Sequence, residues 1–233
     1  GSILIRLLPL LEEQALYDAF DFSRPTNYQE FPDGRQIGSA IVPLFVCPSD
    51  DKEGFYDGVS PANYSASTGP SGFYPNSDHP CRLVDEWNEF SLAKEWIDGL
   101  PNYRFFAGPF HRNEGVEIRF REITDGLSKT IFFGEVRPEC SSHVRAGWAH
   151  TINGQGLSTT LVPLNFDSCQ EDAADGCHSP YNWSTEFGFK SKHPEGANFL
   201  LGDAGVRFFA DDTDYQMLQY LGAKADGHPV EVP

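Results

Sequence analysis

The chain of 233 residues carries 17 Lys and Arg against 34 Asp and Glu, a formal charge of −17, with 39% hydrophobic and 14% aromatic side chains. A field that negative repels phosphate backbones and anionic headgroups, which all but excludes nucleic acid and electrostatic membrane docking. The aromatic content excludes a disordered acidic chain, and 22 Gly with 17 Pro point to a folded, turn-rich domain.

Gly1 and Ser2 read as an expression scar and are set aside, leaving 3–233 as the fold unit. Residues 3–20 begin abruptly apolar, and Leu8, Leu11, Ala15 and Leu16 recur at helical spacing. Pro9 suits a first turn, so the spacing predicts a helix starting close to Leu8. An opening this apolar, with no leader, reads as the edge of a truncated ectodomain. Residues 21–40 are polar, with turns at Pro25, Pro32 and Asp33-Gly34. Residues 41–47 are a strand candidate stopped by Pro48. Residues 52–76, rich in Gly, Pro, Ser and Tyr, predict an irregular surface excursion. Residues 83–97, with Val84, Trp87, Phe90, Leu92 and Trp96, predict a helix or two helical turns.

The second half is more regular. Residues 116–120 alternate with period two, as a half-buried strand does. Thr124, Asp125 and Gly126 turn the chain into an inner strand over 130–135, and residues 145–150 are a further strand candidate. Two apolar runs, 197–201 and 206–209, flank Gly202-Asp203-Ala204-Gly205, a hairpin signal. A short helix over 214–221 closes the chain, capped by Asp212 or Thr213 and ended by Gly222. Strands gathered between terminal helices argue an α+β fold, and no repeat or linker divides the chain.

Five cysteines in an acidic, loop-rich chain suggest an oxidising compartment. Cys169 and Cys177 flank a short polar loop that a disulfide would staple. Cys47 and Cys81 are the next pair, which leaves Cys140 over. No Cys-x-x-Cys is present, so a zinc knuckle or thioredoxin-type site is not expected.

The motifs of nucleophilic hydrolases, His-Glu-x-x-His and a phosphate-binding glycine loop are absent, and no enzyme is expected. Asp167, Glu171, Asp172 and Asp175 crowd one loop, and Asp211, Asp212 and Asp214 crowd the last helix start. Ca2+ is the one cofactor such oxygen-rich loops suit, although helix capping and solvation are the favoured account of them. Trp148, His150, Tyr181, Trp183 and Tyr215 lie among amides and glycines, a mixture suited to stacking on sugar faces, although rings more often pack a core.

Four pieces carry a resemblance in chain order: the apolar stretch 6–17, Cys-Pro-Ser-Asp at 47–50, the Ile-Thr-Asp-Gly to Phe-Gly-Glu segment at 123–135, and His193 ten residues before Asp203. Together they resemble a pilin-like family abundant in planctomycete bacteria with a C-terminal His-x9-Asp-Gly signature. It is described both as a domain of unknown function and as family 10 extracellular solute-binding proteins. Ala204 stands where the signature has Gly. The resemblance leaves 52–115 as a variable, loop-rich insertion. It implies a prepilin-type N-terminal helix preceding this chain and packed on an antiparallel sheet. It further implies anchoring at the cell surface or outside the cell, and assembly with other pilin-like subunits through that helix. The isolated head is then expected to be a monomer, with polysaccharide as its candidate ligand alongside Trp148, His150, Tyr181, Trp183, His193, Asn198 and Asp203. Among the motif residues, Asp125 marks the middle turn and Asp203 is expected to hold the hairpin tip. Asn198 or His193 is expected to brace a neighbouring loop, and Glu135 to meet Arg137 or Arg145. The competing arrangement has His193, Asp203 and Glu135 converging on a ligand or ion.

Overall fold

Ser2 opens the first helix. Its Oγ accepts the Ile5 N–H at 3.2 Å and donates to the Trp148 carbonyl at 2.7 Å, so a residue set aside on sequence grounds caps α1 (Ile3–Leu7). The computed structural model describes residues 2–50, 58–72, 106–112, 116–150 and 156–232. The helix expected from Leu8 is instead three short pieces: α1, a 3-10 turn over Leu8–Leu11, and α2 (Gln14–Asp18). Pro9 lacks the N–H that a continuing α-helix needs, and Glu12 ends the 3-10 turn in the left-handed region at φ 65°. No helix among the described residues is long and apolar enough to cross a membrane.

Among the described residues, five strands form one open mixed sheet: β1 (Tyr64–Ser67), β2 (Ile131–Glu135), β3 (Leu157–Ser158), β4 (Gly196–Leu201) and β5 (Val206–Ala210). Their order is β3-β1-β2-β4-β5, with β2 central; every neighbouring pair is antiparallel except β1 and β3. The fold is therefore α+β. The inner strand over 130–135 and the 197–209 hairpin stand where the periodicity puts them.

Three strand expectations are overturned. Residues 41–47 make a 3-10 turn over Pro43–Phe45, because Pro43 starts a helical turn; Val42, Phe45 and Cys47 point inward while Ile41 and Leu44 face solvent. The alternating residues 116–120 end in a 3-10 turn over Phe120–Glu122, where the Glu122 carboxylate accepts the Arg119 N–H at 2.7 Å. Residues 145–150 begin on the last residue of α3 (Ser142–Arg145), whose first turn Ser141 caps through its hydroxyl. Conversely, β1 lies within the expected excursion at 52–76, so the stretch 52–115 supplies a sheet strand. Its Tyr-Ser-Ala-Ser sequence buries small polar residues and shows no apolar alternation. The helix expected over 83–97 lies outside the described residues. At the C-terminus α4 (Tyr215–Gly222) is capped by Asp214, which accepts the Met217 N–H at 2.8 Å, rather than by Asp212 or Thr213.

Apolar side chains gather in two clusters. Leu4, Ile5, Leu8, Phe20, Phe45 and Trp148 enclose the N-terminal helices, and Ile131, Phe189, Phe199, Phe209, Leu218 and Leu221 lie between the sheet and α4. The register of β2 shifts between Ile131 and Phe133, an extra residue that puts Ile131 and Gly134 on the same α4-side cluster and frees Phe133 to face the other. Any Cβ on Gly134 would fall 2.6 Å from both the Phe189 and Phe199 rings. After the bulge the register carries Glu135 opposite Asn198 on one side, and it pairs Glu135 with Tyr64 on the other.

Candidate functional site

Three of the segments that carry the resemblance meet at the end of β2. Glu135 is almost fully buried; its Oε2 accepts the Asn198 N–H at 2.7 Å and its Oε1 lies 3.3 Å from Asn198 Nδ2. His193, on the loop entering β4, places Nε2 3.1 Å from Glu135 Oε1 and 3.8 Å from Cys47 Sγ. Cys47 leads the Cys-Pro-Ser-Asp segment, and its backbone N–H donates to Asn63 Oδ1 at 2.9 Å; Asn63 Nδ2 in turn donates to Asp50 Oδ2 at 2.6 Å. The thiol, carboxylate and imidazole donor atoms all lie within 4.8 Å of one another. Burial pushes the Tyr64 phenol up, with the neighbouring Cys47 and Glu135 adding to the shift.

The motif residues therefore part company. Glu135 meets His193 and Asn198, while Arg137 pairs with Glu139 and Arg145 with Glu171, so the expected Glu135–Arg contact is corrected. Asp203 does not converge on Glu135. It sits at the hairpin tip and accepts the Gly205 N–H at 2.8 Å. Asp125 accepts the Asp226 and Gly227 N–H groups at 2.6 and 3.0 Å, fastening the C-terminal tail.

The disulfide expectations fail in the described residues. Cys140 bonds to Cys169, not Cys177 to Cys169, and Cys47 is a buried free thiol. Cys177 is itself disulfide-bonded, and Cys81 lies outside the described residues. Short loop spacing favoured Cys169 with Cys177, but Cys140 packs beneath the loop, where Ser168 Oγ also bonds its carbonyl at 2.8 Å.

Among the described residues, the carboxylates of the acidic loop do not gather as a group of ion ligands. Asp167 caps the Cys169 N–H and the Gln170 amide, Glu171 pairs with Arg145, and Asp175 accepts the Cys177 and His178 N–H groups. Asp172 is solvent-exposed. These groups serve local turns; among the described residues the sole metal-capable grouping is Cys47, Glu135 and His193. Asp214 acts as the helix cap, and Asp211 accepts the Asn165 amide at 2.6 Å.

A second feature is an open cleft of about 460 Å³ bordered by Tyr28, Gln36, Ser142, Arg145, His150 and Tyr181. Tyr28 and Tyr181 present rings that are 66% and 55% exposed. His150 Nε2 lies 3.1 Å from the Tyr28 hydroxyl, the two rings meeting edge to face, and Arg145 Nη1 donates to the Tyr181 hydroxyl at 3.3 Å. A hydrogen bond to Glu171 holds the Tyr181 phenol above its ordinary value. Tyr28 adopts φ 60°, a left-handed backbone that a bulky residue holds only when its surroundings require it. His150 and Tyr181 thus share this cleft. Trp148 is 2% exposed in the core with Nε1 on the Ala40 carbonyl, which corrects its place in the aromatic platform. Trp183 packs edge-on to His143, and the Tyr215 hydroxyl donates to the Leu161 carbonyl. Sequence reasoning missed Tyr28 and Gln36, which carry no motif, and placed Arg145 beside Glu135 rather than in this cleft. It also missed Cys47 as a partner of Glu135 and His193, although each opens or closes one of the ordered motifs.

Residues 1–216 match the family model SBP_bac_10, described as a protein of unknown function (DUF1559). No curated protein matches the chain, and neither does any solved structure.

Proposed function

The chain belongs to the SBP_bac_10 family (DUF1559), and from that premise we propose that it is the non-enzymatic, water-facing head of a pilin-like cell-surface protein that captures extracellular polysaccharide in the Tyr28–Tyr181 cleft. The observation that carries this reading is the pairing of two exposed tyrosine rings with Gln36, Arg145 and His150 around one cleft of about 460 Å³. Rings cover the apolar face of a sugar while amide, imidazole and guanidinium groups meet its hydroxyls, and clefts of this size suit small ligands. The formal charge of −17 favours neutral or basic ligands over anionic ones.

The Cys140–Cys169 disulfide supports an extracellular or periplasm-facing location. The four ordered motifs support the pilin-like class, with an N-terminal helix outside this chain joining neighbouring subunits and the head alone monomeric. The solute-binding hint in the family's name, SBP_bac_10, favours a second reading, in which the same cleft works in a protein that never assembles into fibres.

Affinity electrophoresis through gels cast with neutral polysaccharides tests the cleft. At least one polysaccharide is expected to retard the protein, and Tyr28→Ala or Tyr181→Ala to weaken that retardation about threefold to tenfold, the worth of one ring contact. Unretarded migration in every gel overturns the cleft reading. Finding the full-length protein only outside surface fibres favours the unassembled alternative.

A further inference from the structure

We propose that Cys47, Glu135 and His193 form a binding site for a borderline-soft divalent metal ion of the Zn2+ class. The geometry carries it. A tetrahedral zinc ion with ordinary bond lengths sets its sulfur and nitrogen ligands about 3.6 Å apart and its nitrogen and oxygen ligands about 3.3 Å apart. Here Cys47 Sγ and His193 Nε2 are 3.8 Å apart, and His193 Nε2 and Glu135 Oε1 are 3.1 Å apart. The third pair, Cys47 Sγ and Glu135 Oε1, lies within 4.8 Å against about 3.6 Å in a tetrahedral site, so a side-chain shift of at most about 1 Å brings all three donors onto one ion.

The donor chemistry selects the ion. One sulfur, one imidazole nitrogen and one carboxylate oxygen suit zinc and its neighbours in the first transition row, whereas calcium takes six or more oxygens. When the ion binds, the Cys47 thiol releases its proton to solvent, and thiolate and carboxylate together balance the two positive charges. Two of the cations lining the adjoining cavity are committed elsewhere: Arg137 pairs with Glu139, and the Lys190 ammonium donates to the carbonyls of Thr185, Glu186 and Gly188.

The surroundings hold the ligands in place and leave an approach. Glu135 is fixed through Oε2 by the Asn198 N–H, and Cys47 by Asn63, which itself bonds Asp50 and the Val136 carbonyl. A cavity of about 10 Å³, room for one water-sized occupant, opens against Cys47, Asp50, Asn63 and Glu135. The His193 side chain is 29% exposed and forms the solvent-facing side, so a fourth position is open to water or to a ligand group. Three separated motifs supply the three ligands, and the cluster shares no residue with the Tyr28–Tyr181 cleft, so either site stands without the other.

Cobalt is the probe. Chelator-treated protein titrated with Co2+ is expected to show one equivalent of tetrahedral d–d absorption with a thiolate-to-metal charge-transfer band, and Zn2+ is expected to displace both. Cys47→Ser should abolish the charge-transfer band, and His193→Gln should weaken Co2+ binding about tenfold to a hundredfold. Asp203→Asn should change neither. If folded wild-type protein gives no charge-transfer band, the site is an ion pair beside a thiol and the proposal falls. It falls equally if the band survives unchanged in folded Cys47→Ser protein. Because the decisive spectrum is taken on the wild type, a variant that fails to fold does not shelter the proposal.

Discussion

Lys190 is buried with its ammonium against the carbonyls of Thr185, Glu186 and Gly188, at 3.1, 3.4 and 3.1 Å. Desolvation lowers its pKa from 10.5 to about 7, with Glu186 opposing that fall. Between those values the unfolded chain binds the proton that the folded chain has released. This contribution to stability is therefore complete above about pH 10.5 and is lost as the pH falls towards 7. Urea denaturation at pH 7, 8 and 9 is expected to show wild type gaining on Lys190→Met by roughly 1 kcal/mol per pH unit. Parallel curves for the two proteins would refute it. The lysine itself was not legible in the sequence, since a basic residue between Phe189 and Ser191 looks like any solvated one. Asp203 was legible, because a hairpin tip needs a carboxylate acceptor wherever the strands come from. Cys47 was misread because spacing alone offers no way to distinguish a thiol facing a carboxylate from one facing another thiol.

At the scale of elements, the β4–β5 hairpin followed from its own residues, down to the turn between Leu201 and Val206. Ala204 occupies the left-handed region at φ 67°, so the turn keeps the backbone that glycine prefers while carrying a Cβ. Ala204→Gly removes that strain at some cost in unfolded-state entropy, and a net gain of up to about 1 kcal/mol is expected. A thermal melt shifted upward by a few degrees supports this; a lowered melt contradicts it. Elements whose existence depends on a partner were less legible. β1 is built from Tyr-Ser-Ala-Ser and is a strand because β2 and β3 flank it, not because its side chains alternate. Residues 116–120 do alternate, yet pairing rather than period decides a strand, and there the chain closes a 3-10 turn through Glu122.

Across the whole molecule the covalent pattern is the sharpest consequence of tertiary structure. Cys140 and Cys169 are 29 residues apart and bonded, while Cys47 stays reduced. Mass spectrometry of the alkylated, non-reduced protein should find Cys140 and Cys169 in one linked peptide pair and Cys47 carrying the alkyl group. Replacing both bonded cysteines with Ser should cost about 3 kcal/mol through the freed loop. A Cys169–Cys177 peptide would reverse the assignment. By itself the sequence determined what neighbours along the chain can decide: an acidic α+β domain, the central strand, the closing hairpin and helix, and the family to which it belongs. Only the folded chain decided which motifs touch. Cys47, Glu135 and His193 lie far apart in sequence and meet because the bulge in β2 and the β2–β4 register turn Glu135 and Asn198 to one side, and short-range periodicity holds no record of such a meeting.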